Sequence, residues 1–254
     1  MKRLTITALV GAVALSAGAA WQAGASGVAP NIAAAVADTN RPKDDTDLDA
    51  ARKPAQMLAF ARIKPGQTVV DFMPGKGYFS RLFSVAVGPK GKVYAFQPTE
   101  IGKFPGVTLP ANGSQPDPKH PNITALVAPV NDFATPSSVD AVWTAQNYHD
   151  LHDPFMGPAD IAAFNKAVFK ALKPGGEFIV LDHAAAAGSG LRDTNTLHRI
   201  DPAAVKAEVE AAGFRFDGES KVLANPKDDH TLKVFDPSLR HHTDQFIYRF
   251  RKPA

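Results

Sequence analysis

The chain has 254 residues, 44% of them hydrophobic, which is enough for one sizeable globular domain with a full core and a short extension. Its formal charge is +3, and without Lys2 and Arg3 it falls to +1 (28 minus 2 basic against 25 acidic residues). No basic stripe that would follow phosphates is present, so nucleic acid is not expected as a partner. The absence of cysteine excludes disulfides, thiolate metal sites and a lipoprotein anchor.

The first 25 residues have the three parts of a secretory signal. Lys2 and Arg3 precede a mostly apolar stretch over residues 4–15, and small-x-small cleavage sites follow at residues 17–19 and 23–25. The stretch is short for a membrane span, and an uncleaved anchor is the alternative. The sequence therefore predicts that residues 1–25 are removed, which leaves a periplasmic or secreted protein without a stable membrane anchor.

Residues 26–46 are rich in Ala, Pro and Asp with weak periodicity, and they predict a flexible lead-in to one domain over residues 47–254. A first helix is predicted from about Asp47 or Pro54 to Ala61. Strands and helices then alternate, which is typical of the doubly wound α/β class with a mostly parallel sheet. The predicted strands are residues 68–72, 92–96, 123–127, 139–144, 177–181, 214–222 and 245–251.

Three helices are predicted between these strands. One follows Gly75 and Gly77, one spans residues 160–172, and one begins after Asp201, where a proline at the first helical position favours a helix start. Prolines at 98, 105, 110, 116, 118 and 121 exclude a long helix over residues 98–121, which are expected to form an ordered loop or partial lid.

The stretch DFMPGKGYFS, residues 71–80, joins the first strand to the helix that follows. Glycines at this point let a ligand approach the backbone near the positive end of a helix. The third glycine of a dinucleotide-binding loop is absent, because Ser80 occupies its position, and the second strand is followed by Gln97 instead of a carboxylate. A tight turn without any ligand remains the alternative on the loop alone.

Four segments occur in a characteristic order: VVDFMPGKGYFS, GPKGKVYAFQP, VDAVWTAQNYHDLHD and ALKPGGEFIVLDH. In this order the chain resembles the class I S-adenosylmethionine-dependent methyltransferases, and an uncharacterised bacterial branch with exported members in particular. The resemblance runs from about Asp47 to Lys252. It implies a Rossmann-like sheet of seven strands with an antiparallel last strand, S-adenosylmethionine as cofactor, and methyl transfer to a small molecule.

The resemblance also implies a set of cofactor-binding residues. Asp71 matches the acidic residue near the methionine moiety, and Gly75 and Gly77 match two glycines of the same motif, whose first glycine is replaced by Met73. Gln97 stands where the family has an acid for the ribose hydroxyls, and Asp132 is similar to the residue that meets the adenine amino group.

Polar residues collect where the strands of such a sheet end, which is where ligands bind. These residues are Asn147, Tyr148, His149, Asp150, His152, Asp153, Asp182, His183, His198, Arg199, Asp201, His230, His241 and His242. The loop after the fourth strand resembles the substrate side of methyltransferases. We therefore expect His149 to act as general base and the ring of Tyr148 to position the sulfonium.

Two other functions remain open from the sequence. One is a periplasmic ligand-binding or non-catalytic protein that keeps the methyltransferase fold, which Met73 and Gln97 favour. The other is a metal-dependent hydrolase, because His149 and His152 are spaced to share one face of a helix. Established zinc spacings are not matched and Pro154 limits any helix there, so no metal is predicted.

Overall fold

The structure is a computed structural model that describes residues 27–254. The predicted signal, residues 1–25, lies outside the described residues. None of the helices in residues 27–254 has the length and apolar character that a membrane crossing needs.

A single sheet of seven strands forms the centre of the domain. The strands are β1 (Thr68–Phe72), β2 (Lys92–Pro98), β3 (Ile123–Ala128), β4 (Val139–Ala145), β5 (Leu172–His183), β6 (Arg215–Ser220) and β7 (Gln245–Arg251). Their order is β3-β2-β1-β4-β5-β7-β6, and β7 is antiparallel to both of its neighbours. The predicted doubly wound α/β class, with seven strands and an antiparallel last strand, is confirmed.

Eight helices flank the sheet in the described residues. They are α1 (Pro30–Val36), α2 (Lys43–Thr46), α3 (Asp49–Arg52), α4 (Pro54–Phe60), α5 (Tyr78–Val87), α6 (Ile161–Ala171), α7 (Thr194–Leu197) and α8 (Pro202–Ala211). Apolar residues of α1, α4 and α5 form one core with one face of the sheet, and those of α6 and α8 form a second core with the other. Because β1 and β4 carry buried, mostly apolar side chains on both faces of the sheet, both cores pack against these central strands.

Each of the seven observed strands overlaps a predicted strand, and the observed and predicted ends differ by a few residues. β5 is the largest difference, because it begins at Leu172 and includes the turn that was predicted to separate helix from strand. Leu172 pairs with Val139, and the chain then bulges through Gly175, which has φ +75°, before Glu177 rejoins the ladder opposite Ala141. Of residues 98–121, Pro98 ends β2, Thr99–Lys103 form a 3-10 turn, and the rest are irregular.

The prediction of a flexible lead-in over residues 26–46 is wrong for its described part. Ile32 and Ala35 of α1 are buried in the core beside α5, and the side chain of Asn31 donates hydrogen bonds to the carbonyls of Ile63 and Ala86, each at 3.1 Å. Seven residues are too few to give a clear helical period, and alanines contribute little apolar signal. The segment is ordered because tertiary packing supplies what its local sequence lacks.

Candidate functional site

The loop between β1 and α5 lies where the strand order reverses, since β1 has β2 on one side and β4 on the other. Gly75 and Gly77 take the left-handed conformation, with φ of +55° and +83°, and Gly77 is the residue before the first turn of α5. Gly75 is exposed, and a Cβ placed on it would meet no atom within 4 Å. Backbone at this edge is therefore open to a ligand.

The backbone at Met73 has a conformation that glycine adopts easily, which is why a glycine is expected at this position. Its φ is +55°, and a residue other than glycine takes this conformation at a cost of about 1–2 kcal/mol. The side chain is buried and belongs to the core on the α6 side of the sheet, while its amide donates to the carbonyl of Phe96 at 2.8 Å. The methionine thus keeps the backbone path of the loop and adds packing to the core beneath it.

Asp71 is a buried carboxylate directly below this loop. It is 2% exposed, and its Oδ2 accepts a hydrogen bond from the hydroxyl of Ser80 on α5 at 2.6 Å. Burial raises the pKa of Asp71 to about 7, since removing water disfavours the charged form more than Ser80 stabilises it. A change in nearby charge therefore alters its protonation around neutral pH.

The two remaining cofactor candidates follow the neighbouring strands. Gln97 is buried near the end of β2, on the same face as Asp71, because Ala95 is the partner of Asp71 in the register. Asp132 ends a 3-10 turn after β3, and it is exposed. The structure therefore brings Asp71, the two glycines, Gln97 and Asp132 to one edge of three adjacent strands.

Tyr148 does not have the role predicted for it. The side chain is fully buried, its hydroxyl donates to Oε2 of Glu208 at 3.0 Å, and the amide of Asn165 donates to the hydroxyl at 2.8 Å. Burial and the Glu208 carboxylate raise the pKa of Tyr148 well above its usual value. No ring face is open to a sulfonium, so Tyr148 joins β4 to α6 and α8 instead of contacting a ligand.

Replacing Tyr148 by phenylalanine is expected to lower the free energy of unfolding by about 1–2 kcal/mol, because two buried hydrogen bonds are lost. Urea denaturation measures this, with Tyr248→Phe as control, since Tyr248 is half-buried and its hydroxyl makes no hydrogen bond to the described residues. A fall in ligand affinity without a loss of stability would show that the ring faces a ligand after all.

His149 also differs from its predicted role as a general base. Its Nδ1 donates to Oδ1 of Asp182 at 2.8 Å, and its Nε2 lies 3.2 Å from Oδ1 of Asp150. Burial acts to lower the pKa of His149, but the carboxylates of Asp182 and Asp150 outweigh it and raise the pKa to about 10. With both ring nitrogens beside carboxylates, no free lone pair is left for a substrate proton.

The spacing of His149 and His152 suggested that the two histidines could share a metal site, but the structure does not bring them together. His152 turns away to Oε2 of Glu208 at 3.3 Å, while Nε2 of His149 lies 3.4 Å from Nδ1 of His198. Residues 149–152 form a 3-10 turn, whose period of three residues differs from that of an α-helix. Asp182 and His198 were expected at this edge of the sheet, but their contact with His149 was not predicted.

A cavity of about 520 Å³ opens at the same edge, between the helices before β1 and the loop before β7. It is lined by Asp47, Leu48, Ala50, Ala51, Lys53, Val222, Leu223, Ala224, Asn225, His241, His242, Thr243 and Gln245. A smaller cavity of about 20 Å³ shares four of these residues and continues inward to Phe79, in the first turn of α5, and to Gln146 after β4. The cavity thus leads toward the glycine loop.

Arg52 lines the smaller cavity, and no sequence pattern predicted it as a site residue. Its guanidinium carbon lies 4.5 Å from the centre of the Tyr78 ring and 5.9 Å from that of Phe79, and it forms no ion pair with the described residues. Burial lowers the pKa of Arg52. No motif marks this arginine, because the segment around it folds onto the loop only in three dimensions.

Comparison with known proteins finds similarity among solved structures only. Neither a protein-family model nor a curated protein matches the sequence. Among solved structures, the chain is similar to a SAM-dependent methyltransferase from Aquifex aeolicus (19% identity, 83% of this chain and 98% of that chain, TM-score 0.52). It is also similar to one from Mesorhizobium loti (16% identity, 80% and 99%, TM-score 0.53) and to an N-methyltransferase from Bradyrhizobium japonicum (13% identity, 84% and 96%, TM-score 0.50).

The structural likeness agrees with the strand order and with the position of the glycine loop. At these identities the likeness concerns the arrangement of the backbone and not the chemistry of the site. The resemblance predicted from the sequence segments is confirmed at that level: the chain has the fold of the class I S-adenosylmethionine-dependent methyltransferases.

Proposed function

We propose that the protein is an S-adenosylmethionine-dependent methyltransferase that acts on a small molecule. The observation that carries this proposal is the open glycine loop at the reversal of strand order, above the buried carboxylate of Asp71. In an open α/β sheet this is the position at which ligands bind, whatever the family. Gln97 and Asp132 add polar groups along the same edge.

The residues present fit this cofactor. Gly75 is exposed and has free space where a side chain would stand, so its backbone is accessible, and the side chain of Gln97 makes no hydrogen bond to the described residues. Arg52 supplies a cation without an acidic partner for a ligand carboxylate. When bound, the cofactor supplies a methyl group made reactive by its sulfonium, so the chain has only to align the acceptor and exclude water.

The acceptor is proposed to occupy the 520 Å³ cavity, which is in the size range of small-molecule sites. Its inner extension reaches Phe79, two residues after Gly77, so an acceptor there would lie beside the glycine loop. Its lining carries one lysine, Lys53, and one acidic residue, Asp47, while burial and the nearby Arg240 lower the pKa of His241. An acceptor with polar groups fits this lining.

Calorimetric titration of the purified protein with S-adenosylmethionine and S-adenosylhomocysteine tests the proposal. We expect dissociation constants in the micromolar range, or about −8 kcal/mol. Adenosine, which lacks the carboxylate that Arg52 would bind, should bind at least about 10-fold more weakly. No heat with any of the three ligands at millimolar concentration would refute the enzyme and favour a protein that keeps only the fold.

Affinity for S-adenosylmethionine is expected to depend on the protonation of Asp71. Its pKa of about 7 in the folded protein lies above the usual value of 3.8, so the folded state holds a proton below pH 7, and its stability falls as the pH rises from 3.8 toward 7. The ionised carboxylate attracts a cationic ligand, so affinity should rise up to about pH 7 and then level off. Titrations from pH 5.5 to about 8.5 measure this.

Asp71→Asn is the control for that pH profile. The amide keeps the shape of the side chain and cannot ionise, so its profile should be flat after correction for the titration of the ligand itself. Equal profiles for the two proteins would show that the charge on Asp71 does not act on the ligand.

We further propose that the protein is exported and that residues 1–25 are removed. Both small-x-small sites precede Pro30, where α1 begins, so cleavage at either leaves every described helix intact. The intact mass of the protein recovered from the periplasm or medium decides between cleavage after residue 19 and after residue 25. Recovery of the full-length chain in the membrane fraction would contradict export of a soluble product.

A further inference from the structure

Two side chains that follow β4 and one that precedes α8 place nitrogen and oxygen atoms of the kind that bind metal ions close together. Nε2 of His149, Oδ1 of Asp150 and Nδ1 of His198 are separated by 3.2, 3.4 and 3.9 Å. Among the described residues, these three form the only group of His, Asp or Glu with a spacing that suits one metal ion. His198 is 49 residues from His149 in the chain, so no local spacing predicts this group.

The size of this triangle matches a metal–ligand bond length. A circle through three points separated by 3.2, 3.4 and 3.9 Å has a radius of about 2.0 Å (the product of the sides divided by four times the area). An ion at its centre would therefore lie about 2.0 Å from all three atoms, and zinc binds His nitrogen and carboxylate oxygen at about 2.0–2.2 Å.

The orientation of His149 is that of a metal ligand with a supporting carboxylate. Asp182 holds the residue twice, because its Oδ1 accepts from Nδ1 at 2.8 Å and its Oδ2 accepts from the backbone amide of His149 at 2.8 Å. Asp182 is itself completely buried. Such a carboxylate fixes the ring and leaves Nε2 directed at the ion in known metal sites. The ion would replace the proton that Nε2 shares with Asp150 when no metal is bound, so binding releases one proton.

Asp153 provides a second, independent observation. It is 1% exposed, and neither of its carboxylate oxygens has a hydrogen-bond partner among the described residues. Its backbone amide donates to the carbonyl of Asp150 at 3.0 Å, which fixes it one turn from the cluster. A buried carboxylate without a hydrogen-bond partner is unfavourable unless a positive charge lies near. Protonated His149 supplies part of that charge when no metal is bound, and a bound cation would supply it in the metal-bound state.

We propose that His149, Asp150 and His198 bind one divalent transition-metal ion, with zinc as the reference. Two imidazoles and one carboxylate are ligands that zinc and its neighbours accept, and three protein ligands leave a coordination position open. The side chains of Asp150 and His198 are 14% and 28% exposed, so an ion can enter from solvent. The site does not involve the glycine loop, so it stands whether or not S-adenosylmethionine binds.

The test uses the full chain after removal of metals with a chelator. Titration with Zn²⁺, and with Co²⁺ for its absorption spectrum, should show one ion per chain, and Zn²⁺ should raise the melting temperature. His198→Ala and Asp150→Asn should each lower the affinity at least about 100-fold. His242→Ala, which removes an exposed histidine outside the cluster, should leave it unchanged.

Circular dichroism of each variant shows whether it is folded, and the two ligand variants provide independent readings. Saturable binding lost in both variants, with normal binding in His242→Ala, supports the site. No saturable binding of either metal ion by the wild-type protein, or unchanged affinity in a folded His198→Ala or Asp150→Asn variant, overturns it. Binding of S-adenosylmethionine is measured separately, so failure of one proposal leaves the other intact.

Discussion

Gly75→Leu is expected to lower the affinity for S-adenosylmethionine at least about 100-fold, or about 2.7 kcal/mol, while the protein stays folded. Gly75 is exposed, and the space around a Cβ at this position is empty within 4 Å. A leucine therefore meets no protein atom at its Cβ, but it occupies the volume through which a ligand reaches the loop. Its φ of +55° adds about 1–2 kcal/mol of backbone strain.

Gly66→Leu is the matched control for this substitution. Gly66 also has a positive φ, +82°, is exposed and has no atom within 4 Å of a Cβ, but it precedes β1 at the opposite edge of the sheet. Both variants should lose similar stability in urea denaturation, and only Gly75→Leu should lose the ligand in calorimetry. Equal affinities in the two variants would remove the glycine loop from the binding site.

Arg199→Met is expected to lower the free energy of unfolding by about 3–5 kcal/mol, because it leaves a buried carboxylate without its cation. The side chain of Arg199 is fully buried, and Nη2 lies 2.9 Å from Oδ2 of Asp228. It also donates to the carbonyls of Ala184 at 2.9 Å and of Leu232 at 3.0 Å. The arginine thus joins the end of β5 to the long loop before β7.

Lys43→Met separates the effect of burial from that of the ion pair itself. Lys43 contacts Asp47 at 2.5 Å, but both side chains are exposed, by 81% and 58%. An exposed pair contributes about 0–1 kcal/mol, so this variant should unfold almost as the wild type does in urea. A loss below about 1 kcal/mol for Arg199→Met would contradict the buried pair.

Much of the fold could be predicted from short stretches of sequence. β1 and β4 are apolar runs bounded by turn residues, and α6 presents an apolar residue at every third or fourth position. The path of the glycine loop was also readable, since Gly75 and Gly77 allow conformations that other residues avoid. These features depend on near neighbours in the chain, which one sequence displays directly.

The candidate site was predicted only in part. Topology alone placed the residues after β4 and β5 at one edge, because the carboxyl ends of parallel strands meet there. It could not tell that Tyr148 turns into the core toward Glu208 while His149, the next residue, faces Asp182. In the 3-10 turn after β4 no simple alternation of side chains applies, so orientation there depends on what packs around it.

The sequence by itself therefore determined the order of strands and helices, the glycine loop and the edge at which ligands bind. Only the tertiary structure decided the protonation of His149, the partner of Tyr148, the ordered helix α1 and the cluster with His198. The physical reason is distance along the chain: Asp182 is 33 residues and His198 is 49 residues from His149. Interactions between such groups exist only after β4 and β5 have paired, and no local pattern records them.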